Sequence, residues 1–508
     1  MSCPSLAMRI LPGKTLYSAL CEKSRRVPIC GEKTVPGLDP ASLYEGLYRE
    51  CPDSFLFESG KGPQATARYS LMGASNSRLI QIRDRTTRLY LHGNPQKVLD
   101  HPDAGLAWLD FEEGVQPVDY LDHFWGGWTG YIGYEAAGLF EHLPPEKPGG
   151  PGNPDLYFMQ VDRLIVYDHL TEALKVILSP LRGELTYEEA LKEIRGIWDS
   201  IHAVMDRCHR SGLNESGFTG THGDKKEPNL NGLLSNMSRE DYMDRVQRVK
   251  RYIGEGDIYQ ANLAQRFETG FEGNPFDLYK KLKAVNPSPF SGFLKFKGLA
   301  IASSSPERLV KVDGPRIETR PIAGTRPRSR DPVKDRSLST ELLLNEKERA
   351  EHLMLVDLER NDLGRISRVG SVCVTDLMFL EQYSHVSHIV SNIVGNLRPG
   401  VSVKEILRAV FPGGTITGCP KVRCMEIIHE LEPTRRGPYS GSFGYIGFSP
   451  HMDLNIIIRT ILLQEGKAWF HVGAGIVADS SPEQEYQETL DKAAAMIEVL
   501  SPSTKGME

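Results

Sequence analysis

Two pairs of glutamates, Glu348 with Glu351 and Glu485 with Glu488, are each spaced three residues apart in segments that read as helix, so each pair projects from one helix face. Two such faces brought together make an all-oxygen site for a hard divalent cation. Mg²⁺ is bound in this way, through one or two carboxylates, waters and an anionic substrate. Taken singly, either pair also has an ordinary reading as a solvated helix exterior. The second pair is phased by a start signal, with Ser481 at the N-cap, Pro482 at the first helical position and Gln484 at the third. That phase sets Glu485, Glu488 and Lys492 on one stripe and turns Ala493 and Met496 inward.

Six other positions carry chemistry by type. Glu307, in Ser304-Ser305-Pro306-Glu307-Arg308, follows a strand expected to be buried. Desolvated, it would serve as a general acid; otherwise it would pair with a neighbouring arginine. Arg459 interrupts the apolar run from Ile456 to Leu463, and a charge there must be paired, a carboxylate ligand being one partner. His388 lies in a β-prone run and is either structural or catalytic. Gln260, Asn262 and Arg266 share one face of a strand over 258–267 whose other face carries Tyr259, Ala261 and Leu263. A polar strand face is either a site wall or an edge turned to water.

Two glycine-rich stretches bear on ligand binding. Gly473-Ala474-Gly475-Ile476-Val477-Ala478 fits the loose G-x-G-x-x-A dinucleotide pattern, but a strand continues through Ile476-Val477 and the next helix opens only at Pro482. The dinucleotide reading is rejected. The glycines would instead let backbone N–H groups approach an anion, or mark a bulge. The stretch from Phe411 to Lys421 feeds a helix without the P-loop arrangement; it would offer N–H groups and hydroxyls to a carboxylate, or simply form a tight turn.

The elements that must position these residues are strands over 54–57, 78–82, 164–167, 443–448, 455–463 and 468–478 and helices over 187–202, 341–363, 403–410 and 422–431. Another helix is expected to open at Ser238, with Asp241 three residues on. Their order argues an α+β fold, a β-sandwich-like core with helices packed outside. We expect an N-terminal region over 1–206, a flexible linker over 207–237 rich in Arg, Ser, Gly, Asn and Lys, and a catalytic region over 238–508 intertwined with the first. With 60 basic and 66 acidic residues the net charge is −6, which offers no footprint for nucleic acid. Lacking an apolar leader or a stretch of ~18 uninterrupted apolar residues, the chain is expected to be soluble, free of membrane and cytoplasmic. Its eight cysteines show no C-x-x-C spacing, in keeping with reduced thiols.

In this order the segments resemble the chorismate-utilising enzymes, which include anthranilate synthase component I, aminodeoxychorismate synthase component I and the isochorismate and salicylate synthases. The likeness covers residues 40–500 and is densest in Thr319 to Arg326, Asn345 to Arg365, Gly414 to Lys421 and Gly473 to Lys492. It implies Mg²⁺ held by Glu351 and Glu488, with Glu348 and Glu485 acting through waters. It implies that the ring carboxylate of chorismate lies near Lys492 and the Gly414-Thr415 loop, and that the enolpyruvyl carboxylate meets Tyr439, Arg459 and Gly475, beside Gly473. Glu307 would protonate the departing C4 hydroxyl, with His388 and Thr415 along the ring. Family members that add water carry a lysine where this chain has Gln260; Gln cannot deprotonate water, so the implied nucleophile is ammonia from a separate glutamine amidotransferase. The wording from Gly256 to Phe267 resembles aminodeoxychorismate synthase, implying 4-amino-4-deoxychorismate on the way to p-aminobenzoate and folate. Ala323 stands where some of those enzymes have lysine, a pattern shared with anthranilate synthases, whose product is anthranilate plus pyruvate. A non-catalytic or dinucleotide-binding protein on a related scaffold is the rival from another class.

Overall fold

The computed structural model describes residues 8–58, 68–145, 147, 149–150, 152–210, 232–329, 331–382 and 386–501. The period-two alternation of the sequence is realised as two antiparallel sheets laid face to face. The first runs, from edge to edge, Arg9–Leu11, Ile29–Thr34, Ala173–Leu178, Arg163–Asp168, Tyr69–Ala74, Ser54–Glu58, Phe290–Phe296, Leu299–Ser305, Thr460–Gln464, Lys467–Ile476, Gln260–Gly270 and Leu234–Ser235. The second runs Ile322–Pro327, Val386–Asn396, Arg316–Thr319, Arg308–Asp313, His451–Ile456, Ser442–Gly447, Gly127–Ile132, Leu156–Val161, Arg78–Arg83, Thr86–Leu91 and Asn94–Leu99. Successive residues of one strand serve two cores. Leu164 and Val166 face the other sheet, among Phe55, Tyr131 and Phe296, while Ile165 and Tyr167 face a helix layer. Across the inner seam Tyr157 stacks on Phe296 at 4.0 Å between ring centroids, a contact worth ~0.5–1.5 kcal/mol beyond its buried area.

Helices close both outer faces. Pro40–Tyr48, Tyr187–Arg210, Pro275–Val285 and Pro482–Leu500 cover the first sheet, Glu346–Gly364 and Val403–Val410 cover the second, and Lys421–Leu431 packs Cys424, Ile427 and Leu431 on Gln260–Gly270 of the first. Strands from early and late in the chain alternate within each sheet: Ser54–Glu58 pairs with Phe290–Phe296, and Gly127–Ile132 with Ser442–Gly447. The helix opening at Ser238 is Arg239–Gly254, with Ser238 and Asp241 in a capping box. Among the described residues no helix is long and apolar enough to cross a membrane.

Several boundaries differ from the sequence reading. The helix expected over 187–202 continues to Arg210, into the stretch read as linker, and Leu234–Ser235 is a short strand; residues 211–231 of that linker lie outside the described residues, as do 59–67 and 383–385. The helix over 341–363 is two helices, Pro332–Leu344 and Glu346–Gly364, because Asn345 turns out of helical geometry and its Oδ1 accepts the Glu348 N–H at 3.0 Å. The single strand over 455–463 is also two. His451–Ile456 belongs to the second sheet and Thr460–Gln464 to the first, and Arg459 at φ 49° lies in the crossing between them. Apolar residues on both sides of that crossing made it read as continuous.

Candidate active site

Two adjacent strands pass from one sheet to the other at the same place. Leu299–Ser305 pairs with Thr460–Gln464 in the first sheet, and Arg308–Asp313 pairs with His451–Ile456 in the second. Glu307 lies in one crossing and Arg459 in the other, joined by bonds such as Ile456 N–H to Glu307 O at 2.9 Å and Ser304 N–H to Arg459 O at 3.2 Å. The side chain of Glu307 is buried. Its neighbour Arg308 is committed elsewhere, to Asp453 at 2.9 Å and Glu318 at 3.2 Å. Glu307 is therefore not neutralised by the adjacent arginine. Burial pushes its carboxyl up to about 7, against the Thr415 hydroxyl, the Ile322 N–H, Lys492 and Arg459, all of which favour the charged form.

The wall of the cleft is the start of Gln260–Gly270 with its partner Lys467–Ile476. Their register, Asn262 opposite Gly475 and Ala264 opposite Gly473, is regular and contains no bulge at the glycines. Space explains them. A Cβ at Gly475 would stand 2.6 Å from Gln260 Nε2, and one at Gly473 would stand 2.4 Å from Asn262 Oδ1 and 2.8 Å from the Tyr439 hydroxyl. Gln260 and Asn262 are buried, and among the described residues Gln260 Oε1 and Asn262 Oδ1 have no protein hydrogen-bond partner, leaving two acceptors unpaired. Tyr439 is buried flat against His471, 4.9 Å between centroids, and burial pushes its hydroxyl up to about 12. It is a neutral donor.

Lys492, from the helix Pro482–Leu500, bonds the Gly473 carbonyl at 2.9 Å and pairs with Glu488 at 2.7 Å. The N-cap position of that helix is Ser481 as expected, although its side chain makes no capping bond to the backbone. Arg459 has Asn286 Oδ1 as partner at 3.3 Å, and burial holds its guanidinium below the usual arginine range, opposed by Glu307. His388, on Val386–Asn396, is buried with Nδ1 3.3 Å from the Gly324 carbonyl, and burial with Arg459 nearby pushes it down to about 4. A carbonyl only accepts, so Nδ1 holds the proton of a neutral ring and Nε2 the lone pair. Ala323 pairs with Ile389 beside it, and a bulge follows at Gly324. Gly414 opens a short 3₁₀ turn, Gly414–Ile416, packed against Leu358 so closely that a Cβ there would stand 2.3 Å from Cδ2.

Glu307 thus has Thr415, Lys492 and Arg459 about it, with His388 beside Arg459, while Gln260, Gly473, Gly475 and Tyr439 meet along the paired strands, and the Lys492 bond to Gly473 joins the two groups. The four glutamates are arranged differently. Glu348 pairs with Arg326 at 3.3 Å, over Gly324. Glu351 is partly exposed on the same helix, Glu485 is buried, and both Glu485 and Glu488 act on Tyr242. Among the described residues no three His, Cys, Asp or Glu side chains gather closely enough to hold a metal ion. Their all-carboxylate chemistry suits a hard divalent cation, which would have to replace Arg326 on Glu348 and Lys492 on Glu488.

Other residues of the site escaped the sequence reading. Arg436 is buried, holds Glu432 at 2.8 Å, and bonds the carbonyls of Asn262 at 2.7 Å and Ile416 at 2.9 Å, tying the cleft strand to the glycine loop. A buried arginine cannot be told from a surface one in Thr434-Arg435-Arg436. Asn262 did not escape, having been read beside Gln260 on the polar strand face. Asn286 and His471 had none.

The sequence pattern of the family described as chorismate binding enzyme matches residues 53–498. Anthranilate synthase component 1 of Aquifex aeolicus is 38% identical over 491 residues, covering 96% of this chain and 97% of that protein. Aminodeoxychorismate synthase component 1 of Bacillus subtilis is 40% identical over 465 residues, 91% of this chain and 94% of that one. The crystal structure of anthranilate synthase component I from Streptococcus pneumoniae has the same fold, with a TM-score of 0.70 and 33% identity over 85% of this chain and 92% of that chain.

Proposed function

The chain belongs to the chorismate binding enzyme family, and from that premise we propose that it aminates chorismate with ammonia, as the large component of a synthase whose partner is a glutamine amidotransferase. The observation that carries the reading is Glu307, a buried acid with a pKa of about 7 that shares its cleft with two cations, Lys492 and Arg459. Chorismate has two carboxylates for those cations and a hydroxyl that must be protonated to leave. Arg459, the Tyr439 hydroxyl and the Gly475 backbone receive the enolpyruvyl carboxylate, while Lys492 and the Gly414-Thr415 turn receive that of the ring. Glu307 gives its proton to the C4 hydroxyl, which departs as water. His388, neutral, lines the ring without adding charge. Gln260 has no proton affinity to activate water, which favours ammonia. Mg²⁺, held by Glu351 and Glu488 with Glu348 and Glu485 through waters, would supply Lewis-acid stabilisation of the ring carboxylate.

Two observations bear on the product, and they differ. The sequence around Gln260 and Asn262 favours attack at C4 and 4-amino-4-deoxychorismate, and the B. subtilis relative is named aminodeoxychorismate synthase component 1. The names of the relatives favour anthranilate synthase more broadly, since the A. aeolicus protein and the S. pneumoniae structure both carry that name. Incubation of the purified chain with chorismate, Mg²⁺ and ammonium separates them. Pyruvate and fluorescent anthranilate without added lyase mean the second; a ring-aminated product that keeps its enolpyruvyl group means the first. Chorismate left unchanged contradicts both. Gln260→Lys is expected to admit some water addition, read as isochorismate by chromatography.

A further inference from the structure

The polar strand face that carries Gln260 and Asn262 continues past Ala264 to Arg266, which the amination of chorismate leaves unused. Arg266 lies opposite His471 in the pairing of Gln260–Gly270 with Lys467–Ile476, and the Tyr439 ring lies flat on His471 at 4.9 Å. Both side chains are shut away from solvent, that of Arg266 11% exposed and His471 5%. Among the described residues Arg266 Nε and Nη1 have no protein hydrogen-bond partner. A guanidinium has five N–H groups, one on Nε and two on each terminal nitrogen, so three of the five meet no acceptor. The carboxylate paired with Arg266 is that of Glu268, 3.5 Å from Nη2, and it is divided. Its Oε2 also accepts the Trp469 Nε1–H at 3.1 Å, and its Oε1 faces the Lys467 ammonium at 3.4 Å.

The other charges around this pair are already matched. Arg436 is held by Glu432 at 2.8 Å, and Arg435 by Asp155 at 2.8 Å. Arg266 and Lys467 therefore share one carboxylate, and Arg266, the most buried of the three, is left short of counter-charge. Neither ring nitrogen of His471 makes a hydrogen bond of sound geometry, although the Arg435 backbone is beside it. Burial, with Arg266 and Arg436 near, keeps the ring uncharged, and a neutral imidazole still has one N–H to give. A buried cation without a full counter-charge is costly; water can satisfy its N–H groups but not its charge. We propose that Arg266, with His471 opposite, holds a small monovalent anion of the chloride class behind the Tyr439 wall of the cleft. The depth of the site favours an ion that sheds its water and excludes a bulky organic anion. Bound there, the anion completes the charge of Arg266 and steadies the His471 ring on which Tyr439 lies.

Binding is read without turnover, so the test stands apart from which reaction the cleft performs. The purified chain in sodium gluconate, titrated with sodium chloride at constant ionic strength, should show a saturable rise in Tm of roughly 2–5 °C. Arg266→Met should abolish that rise, and in gluconate it should melt at or above the unaltered chain, because an unmatched charge has left the interior. If Glu268 alone satisfies Arg266, the variant melts lower in both salts and neither chain distinguishes chloride from gluconate, a result that overturns the proposal. Glu268→Gln covers the case in which Arg266→Met does not fold. It removes the competing carboxylate, so Kd for chloride should fall several-fold, and an unchanged or larger Kd counts against the site. A bromide-soaked crystal gives the place: an anomalous peak in contact with Arg266 Nε or Nη1 is expected, whereas surface peaks alone, from adventitious ions only, contradict it.

Discussion

Glu307 is set near neutrality by opposed influences, burial on one side and Thr415, Ile322 N–H, Lys492 and Arg459 on the other. The sign of its pH dependence follows. A donor must be protonated, its pKa lies above the usual carboxylate range, and activity holds below that value and falls as pH rises through about 7. Glu307→Gln is expected to lose ~10²–10⁴-fold in kcat with KM little changed, and to flatten the alkaline limb measured by steady-state kinetics. The motif around Glu307 was legible as chemistry but undecided between acid and ion pair. Asp453 and Glu318, distant in sequence or on another strand, take Arg308 away from it, so the ion pair with the adjacent arginine does not form.

At the scale of elements, alternation and capping signals read well wherever one strand or helix keeps one environment. The polar face of Gln260–Gly270 and the capped start of Arg239–Gly254 are examples. They failed where an apolar run changes partners, as at Arg459, and where one polar residue both ends and begins a helix, as at Asn345. The glycines of Lys467–Ile476 were legible as a site feature, but their reason is steric clearance for Gln260 and Asn262. Gly475→Ala should therefore displace Gln260, raise KM for chorismate and cost about 1–3 kcal/mol of stability through overpacking, checked by kinetics and urea unfolding. The glutamate pairs were legible as helix faces, and the cations on them were not. Glu488→Gln should weaken Mg²⁺ binding in a calorimetric titration of the free protein and abolish Mg²⁺-dependent turnover; unaltered binding would remove Glu488 from the metal.

For the whole molecule, the first-sheet strand Gln260–Gly270 is locked to the Gly414–Ile416 turn by Arg436, which reaches Glu432, Asn262 and that turn from within the protein. Removing one partner of a buried ion pair leaves the other uncompensated, so Arg436→Met should cost about 3–5 kcal/mol in urea unfolding, with part recovered in the double variant with Glu432→Gln. The layered α+β architecture was legible because each strand alternates between an inner and an outer core. The convergence of two crossings on one cleft was not, since it joins Glu307 and Arg459 through pairings far apart in sequence. The claim at the centre is that this cleft delivers nitrogen, not oxygen, to the ring of chorismate. One reaction run with isotope-labelled ammonium in heavy-oxygen water, read by mass spectrometry, tests it most directly. Amination by a site with Gln260 in place of a base predicts labelled nitrogen in the product and no heavy oxygen on the ring; heavy oxygen on the ring without nitrogen would contradict it.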